Sequence, residues 1–167
     1  GAINYNIWLA QANDWVISPT INIPASGYEL KFDAAATQYG GTNAPTTAWE
    51  ADDFVEVLVS TDGTTNWVVL DTYNSSNIPS NTGSLNVLNL DDYAGETVRF
   101  AFRAVEGTAN GSADFEFFVD NFEVRLAPTC PDQTGLIVGS VTSDSASTSW
   151  DDMSGAGVTG YEYAVTT

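Results

Sequence analysis

Short runs of alternating apolar and polar residues fill most of this 167-residue chain, separated by Gly, Pro, Asn, Asp and Ser. A period of two places every second side chain on one face of a strand. Tyr28-Glu29-Leu30-Lys31-Phe32-Asp33 alternates cleanly, and Leu85 to Leu90 and Thr97 to Ala104 are further alternating strands. In the last of these, Arg99 and Arg103 share a face with Thr97 and Ala101, opposite Val98, Phe100 and Phe102. Trp15 to Ile23 reads as a strand interrupted at Pro19. Phe54 to Ser60 is largely apolar, as suits a buried strand, and Thr61-Asp62-Gly63-Thr64 then predicts a tight turn into Trp67-Val68-Val69-Leu70. Asp91 to Glu96 predicts another turn, Gly107 to Ser112 a soft loop, and Phe115 to Val124 a closing strand. Helical periodicity is nearly absent.

Strands at this density predict an all-β chain whose first domain is an antiparallel β-sandwich of jelly-roll type. A seam follows at Ala127-Pro128-Thr129-Cys130-Pro131. The boundaries predicted are residues 1–126 for the sandwich, 127–131 for a linker and 132–167 for a partial second sandwich. Gly135-Leu136-Ile137-Val138, Ser145 to Trp150 and Gly160 to Val165 are its strand candidates, too few to close a sandwich. A domain cut short in this way predicts a piece of a longer, multidomain protein.

Charge narrows the function. Asp and Glu total 22 against 4 Lys and Arg, a net charge of −18. Such a chain repels nucleic-acid phosphates and anionic membranes, so neither is an expected partner. The acidity fits cation binding or solubility in a saline habitat equally well. Histidine is absent, which removes the usual general base and any Ser-His-Asp triad. The lone Cys130 has no internal disulfide partner. No apolar run is long enough to cross a membrane as a helix. Disorder is not expected, because 8 Phe, 7 Tyr and 5 Trp supply ample core.

Five segments in order carry a resemblance: Asp14 to Pro19, Leu30-Lys31-Phe32, Val55 to Gly63, Ala94 to Arg103, and Val119-Asp120-Asn121-Phe122-Glu123-Val124. Together they resemble the cleaved-adhesin and MAM-like jelly-roll modules of secreted bacterial adhesins, proteases and polysaccharide-degrading enzymes, many from Bacteroidetes. The second piece resembles the first third of a fibronectin type III domain, through Leu136, Trp150-Asp151 and Gly160 to Val165. The resemblance implies a secreted or cell-surface protein that binds a glycan or another surface ligand without catalysis. The alternatives are an accessory module of a secreted enzyme, or a spacer in a long adhesin. Family modules usually begin with a further Trp-containing, often acidic segment that this sequence does not show.

The strongest candidate chemistry is acidic. Glu50, Asp52 and Asp53 precede the apolar strand, and Asp120 sits within the closing one. A carboxylate among aromatics is costly to bury unless paired or metal-bound. Calcium takes six to eight oxygens, which Asp120 with Glu50, Asp52 or Asp53 can supply if the two strand ends meet. In similar jelly-roll modules the aspartate of the closing pattern helps bind a structural calcium. The other reading makes Asp120 a turn cap and the Glu50–Asp53 segment a solvated loop. A carboxylate pair for glycoside hydrolysis is easily found among so many acids, so its presence argues little for an enzyme. For sugar stacking the candidates are Trp49 and Tyr39 on loops, with Tyr73 and Asn74 on another, unless each aromatic plugs its loop. Trp15, Trp67 and Trp150 are expected in the core. Asn74-Ser75-Ser76 and Asn110-Gly111-Ser112 match the N-glycosylation pattern, and Asp144-Ser145-Ala146 resembles the O-glycosylation pattern of Bacteroidetes.

Overall fold

The computed structural model describes residues 1–8, 12–109, 111, 113–128 and 135–151. The chain divides into two compact units, Gly1–Leu126 and Ala127–Thr167. The first unit contains strands β1 (Ile3–Ile7), β2 (Asn13–Ile17), β3 (Ile21–Asn22), β4 (Tyr28–Gln38), β5 (Phe54–Ser60), β6 (Val68–Tyr73), β7 (Ser84–Asn89), β8 (Thr97–Val105) and β9 (Phe115–Leu126). They form two antiparallel sheets, ordered β1-β9-β4-β7 and β2-β8-β5-β6, with the short β3 also on β8. Their inward faces meet in one core. Phe32 of β4 meets Phe102 of β8 edge-on, with ring centres 5.2 Å apart. The Tyr5 hydroxyl of β1 donates to the Phe102 carbonyl at 3.1 Å, and burial pushes that phenol up to about 12.

The alternation read from sequence holds for β4 and β8, whereas in β7 Leu85 and Val87 face outward, 58% and 48% exposed. Leu30, Phe32, Ala34 and Ala36 of β4 are buried, as are Val98, Phe100 and Phe102 of β8. Arg103 faces the other way and pairs with Glu56 at 3.2 Å. The Pro19 break separates β2 from β3. Ser18 stitches across it, its N–H donating to the Phe100 carbonyl at 2.9 Å and its Oγ accepting the Phe100 N–H at 3.0 Å.

Two stretches of strand carry no clear signal in the sequence. One is β1. The other is the second half of β4, Ala34 to Gln38, where alanine is a weak strand former. Ala34 and Ala36 are small because they sit in the core opposite Val119 and Phe117 of β9. Trp15 and Trp67 correct the expectation that both are core. Their rings meet at 5.6 Å, Trp15 is 38% exposed, and Arg103 lies 5.3 Å over it. A strand residue of either parity can carry a large ring when a neighbouring ring and a cation cover it.

The Asp62 turn forms as expected, with Gly63 at φ +66°. Asp62 Oδ1 accepts the N–H groups of Thr64 at 2.9 Å and Thr65 at 3.1 Å, and Asn66 N–H at 3.2 Å. These bonds hold its carboxyl well below the usual carboxylate range. A depressed folded pKa contributes stability that is complete above the unfolded value near 3.8 and is lost as pH falls below it. Asp62→Ala is therefore expected to lower the melting temperature at pH 7. The gap from the wild type should close as pH is lowered below about 4, followed by circular dichroism.

Strand β9 changes phase midway. Phe115, Phe117 and Val119 point inward, and after the shift Phe122 meets Phe100 and Phe102 at 5.9 and 6.2 Å. The register against β4 slips between Lys31 and Asp33, so Phe32 faces an extra residue of β9. Asn121 absorbs the slip at φ +53°, the one non-glycine residue with positive φ among the described residues. Asn tolerates this left-handed conformation far better than a β-branched residue. Asn121→Val is expected to lower stability by about 1–2 kcal/mol more than Asn121→Gly, measured by urea unfolding.

In the second unit, β10 (Ile137–Val141) and β11 (Ala146–Ser149) form an antiparallel hairpin. Its turn is closed by Thr142, whose N–H donates to the Ser145 carbonyl at 2.7 Å and whose Oγ1 accepts the Ser145 N–H at 3.0 Å. Cys130 and the third strand expected there, Gly160 to Val165, lie outside the described residues.

Candidate functional site

The segment from Trp49 to Asp53 approaches β5 as a tight turn, with the Asp53 N–H donating to the Glu50 carbonyl at 3.2 Å. Its three carboxylates all reach the loop that follows β8. Asp52 Oδ2 accepts the N–H groups of Thr108 at 2.6 Å and Ala109 at 3.0 Å. Asp53 Oδ1 accepts the Gly107 N–H at 3.2 Å, and its Oδ2 accepts the Glu50 N–H at 3.3 Å. Glu50 Oε1 accepts the Ala113 N–H at 3.4 Å. The loops close tightly: a Cβ at Gly107 would displace the Asp52 carboxylate, and one at Gly111 that of Glu50.

This knot of two loops concentrates negative charge out of water. Asp53 is 1% exposed, and Glu106, at the end of β8, is 5% exposed. Burial raises the Asp53 carboxyl to about 7, against the Gly107 N–H, with Glu50 and Glu106 pushing the same way as burial. Asp52 moves the opposite way, held down by the N–H groups of Ala109 and Thr108. Glu50 Oε2 and Asp52 Oδ1 are buried without a hydrogen-bond partner. A buried carboxylate oxygen without a donor is unstable unless a cation or water meets it. Among the described residues no three acidic, Cys or His side chains already converge in metal-ligand geometry.

Asp120 does not join this knot. It is exposed on β9, directly across from Asp33 of β4. Its Oδ1 accepts the N–H of its neighbour Asn121 at 2.8 Å. Five residues of strand separate it from Phe115, about 17 Å of chain, and the knot lies beyond that end of β9. Alternation with the inward Phe117 and Val119 places Asp120 outside the aromatic core that its sequence neighbours suggest, and the phase shift at Asn121 brings Phe122 inward without it. The acidic residue found near Glu50, Asp52 and Asp53 is Glu106, which the sequence marks only as the acid between the end of an alternating strand and a glycine.

The aromatic candidates divide by burial. Trp49 is 3% exposed and stacks on Phe115 at 3.9 Å with the rings 11° from parallel. Tyr73 is 2% exposed and leans on Phe117 at 5.1 Å. Both plug the core beneath their loops and offer no face to a sugar. Tyr39 is 57% exposed. Asn74 turns its own loop, its Oδ1 accepting the Ser76 N–H at 2.8 Å. The four therefore do not make one platform.

No known protein family matches the chain, and no curated protein matches it. Among solved structures it is similar to the K3 cleaved adhesin domain of Lys-gingipain from Porphyromonas gingivalis W83. The two share 15% sequence identity with a TM-score of 0.48, over 74% of this chain and 72% of that one.

Proposed function

We propose that the first unit is a non-catalytic, calcium-stabilised module for adhesion or carbohydrate binding, carried by a secreted or cell-surface multidomain protein. The observation that carries this reading is the carboxylate knot, with the partnerless buried oxygens of Glu50 and Asp52 beside the buried Asp53. Calcium is a hard cation that takes carboxylate and carbonyl oxygens in a flexible shell. Glu50, Asp52, Asp53 and Glu106 would hold it, with their side chains rearranging at the loop junction on binding. The role is structural: the ion would clamp the loop before β5 to the loop after β8.

The strand order supports a jelly roll, once β2 and β3 are counted as one strand broken at Pro19. Such a frame presents its loops and outer faces rigidly, as a binding module requires. The hairpin of the second unit fits the opening of a fibronectin type III sandwich, a spacer that would join this module to its neighbours in the chain.

Calorimetric titration with calcium tests the proposal. The protein is expected to bind the ion, and Asp52→Ala to abolish binding. A protein that gives no heat and no melting shift with calcium overturns the cation clamp and leaves the acidity a matter of solubility.

A further inference from the structure

We infer that the outer face of the β1-β9-β4-β7 sheet carries a saccharide-binding groove centred on Asp33, Asp120 and Asn121. This deepens the reading of the unit as a binding module, on which it rests, by giving that module a ligand class and a place. The groove has a volume of about 590 Å³, within the range of small-molecule sites.

Register assembles it. Asp120, Asp33 and Leu85 form one row across β9, β4 and β7. Phe118 and Ala35 form the next row, and Thr37 lies in the row beyond. Two loops wall the groove at Gly41–Thr42 and Asn81–Gly83. They are tied together by the Asn81 Nδ2, which donates to the Thr42 carbonyl at 2.8 Å.

Three features of this face point to a ligand. First, two carboxylates stand directly opposite each other, an arrangement that destabilises a sheet. Asn121 relieves part of that repulsion, its Nδ2 donating to Asp33 Oδ2 at 2.6 Å. One oxygen of each carboxylate is still without a hydrogen bond from the described residues. Second, the bulge that turns Phe122 inward also delivers the left-handed Asn121 to this face, and bulges of this kind often re-aim a side chain beside a site. Third, Thr37 lines the groove at 6% exposure, with its Oγ1 buried and without a partner. A buried hydroxyl left unpaired costs about 1–3 kcal/mol.

The chemistry selects the ligand. Carboxylate oxygens accept hydrogen bonds from sugar hydroxyls, and Thr37 Oγ1 can donate or accept. Phe118 and the exposed Leu85, 58% accessible, offer apolar contact to the C–H face of a pyranose. Anionic ligands are repelled by Asp33, Asp120 and a net charge of −18. A bare cation makes no use of Phe118 or Leu85. A neutral oligosaccharide uses the whole lining.

The test is an isotope-edited NMR titration of the full 167-residue chain in calcium buffer. The probes are maltotriose, cellotriose, chitotriose and mannotriose. At least one is expected to give saturable amide shifts at Asp33, Asn81 and Asn121. Leu85→Asp and Asn81→Ala are each expected to weaken it about tenfold, the loss of one good contact. Thr37→Val is the control for folding. It removes an unsatisfied hydroxyl, so it should leave the melting temperature unchanged or raised while weakening the sugar. Saturable shifts confined to the Tyr39 or Asn74 loops, indifferent to these variants, overturn the groove and leave the binding module standing. Shifts at the groove produced by calcium alone, with no response to sugar, overturn the ligand class. No shift with any of the four, in protein whose melting temperature does rise with calcium, overturns the saccharide assignment and spares the cation clamp.

Discussion

Trp49→Ala lowers the stability of the first unit by about 3–5 kcal/mol, the usual cost of emptying a buried aromatic site. The indole is 3% exposed, stacked on Phe115 at 3.9 Å and edge-on to Phe117 at 6.3 Å. The adjoining Phe115 and Phe117 are rooted in the central strand β9, so the space left behind cannot collapse easily. For a unit of this size the melting temperature falls by about 10–20 °C. The effect should be larger still on the approach to β5, because Trp49 anchors the turn that presents Glu50, Asp52 and Asp53. Tyr39→Ala is the matched control. At 57% exposure its loss is expected to change stability by no more than about 0.5 kcal/mol. The pair separates a core plug from a surface ring, which the sequence alone cannot do.

Chelation is the second large change expected of the proposed clamp. With calcium at about a hundred times its Kd, binding to the folded state adds about 2.7 kcal/mol, or about 10 °C of melting temperature. The pH dependence gives a second signature. Without calcium, Asp53 binds a proton in the folded chain up to about pH 7 but in the unfolded chain only to about 3.8. The folded state then holds the extra proton between those values, so this group makes the calcium-free protein less stable as pH rises from about 4 to about 7. In the proposed clamp calcium would replace that proton and oppose the trend. The melting difference between calcium and EDTA should therefore be small at pH 5 and wide at pH 8. A difference that does not vary with pH would separate Asp53 from the ion.

Much of the fold is legible from alternation alone. The strands with strict apolar–polar order, such as Leu30 to Asp33 and Val98 to Arg103, show the faces they were expected to show, because burial on one side demands a period of two. The turn at Asp62-Gly63 is equally local, since one carboxylate and one glycine satisfy its N–H groups and its φ. Alanine-rich β4 escapes notice because Ala34 and Ala36 are chosen by the space beneath Val119 and Phe117, and that space is created by another strand. Trp49 and Tyr73 read as loop aromatics for the same reason: whether a ring faces water depends on what folds over it.

The candidate site divides along the same line. Composition alone makes an acidic, histidine-free chain poorly suited to nucleic acid, and it marks Glu50, Asp52 and Asp53 as a dense carboxylate run. Their partner could not be read, because Glu106 and the loop behind it come from a strand more than fifty residues away. Asp120 shows the opposite error. Its neighbours Val119 and Phe122 suggest a buried carboxylate, but alternation with the inward Phe117 and Val119 already sets it outside, opposite Asp33, and the left-handed Asn121 shifts the strand by one position only after it, which is what turns Phe122 inward. Local pattern determines which residues can share a face. Only the pairing of distant strands, with its bulges, decides which face meets water and which carboxylates meet each other.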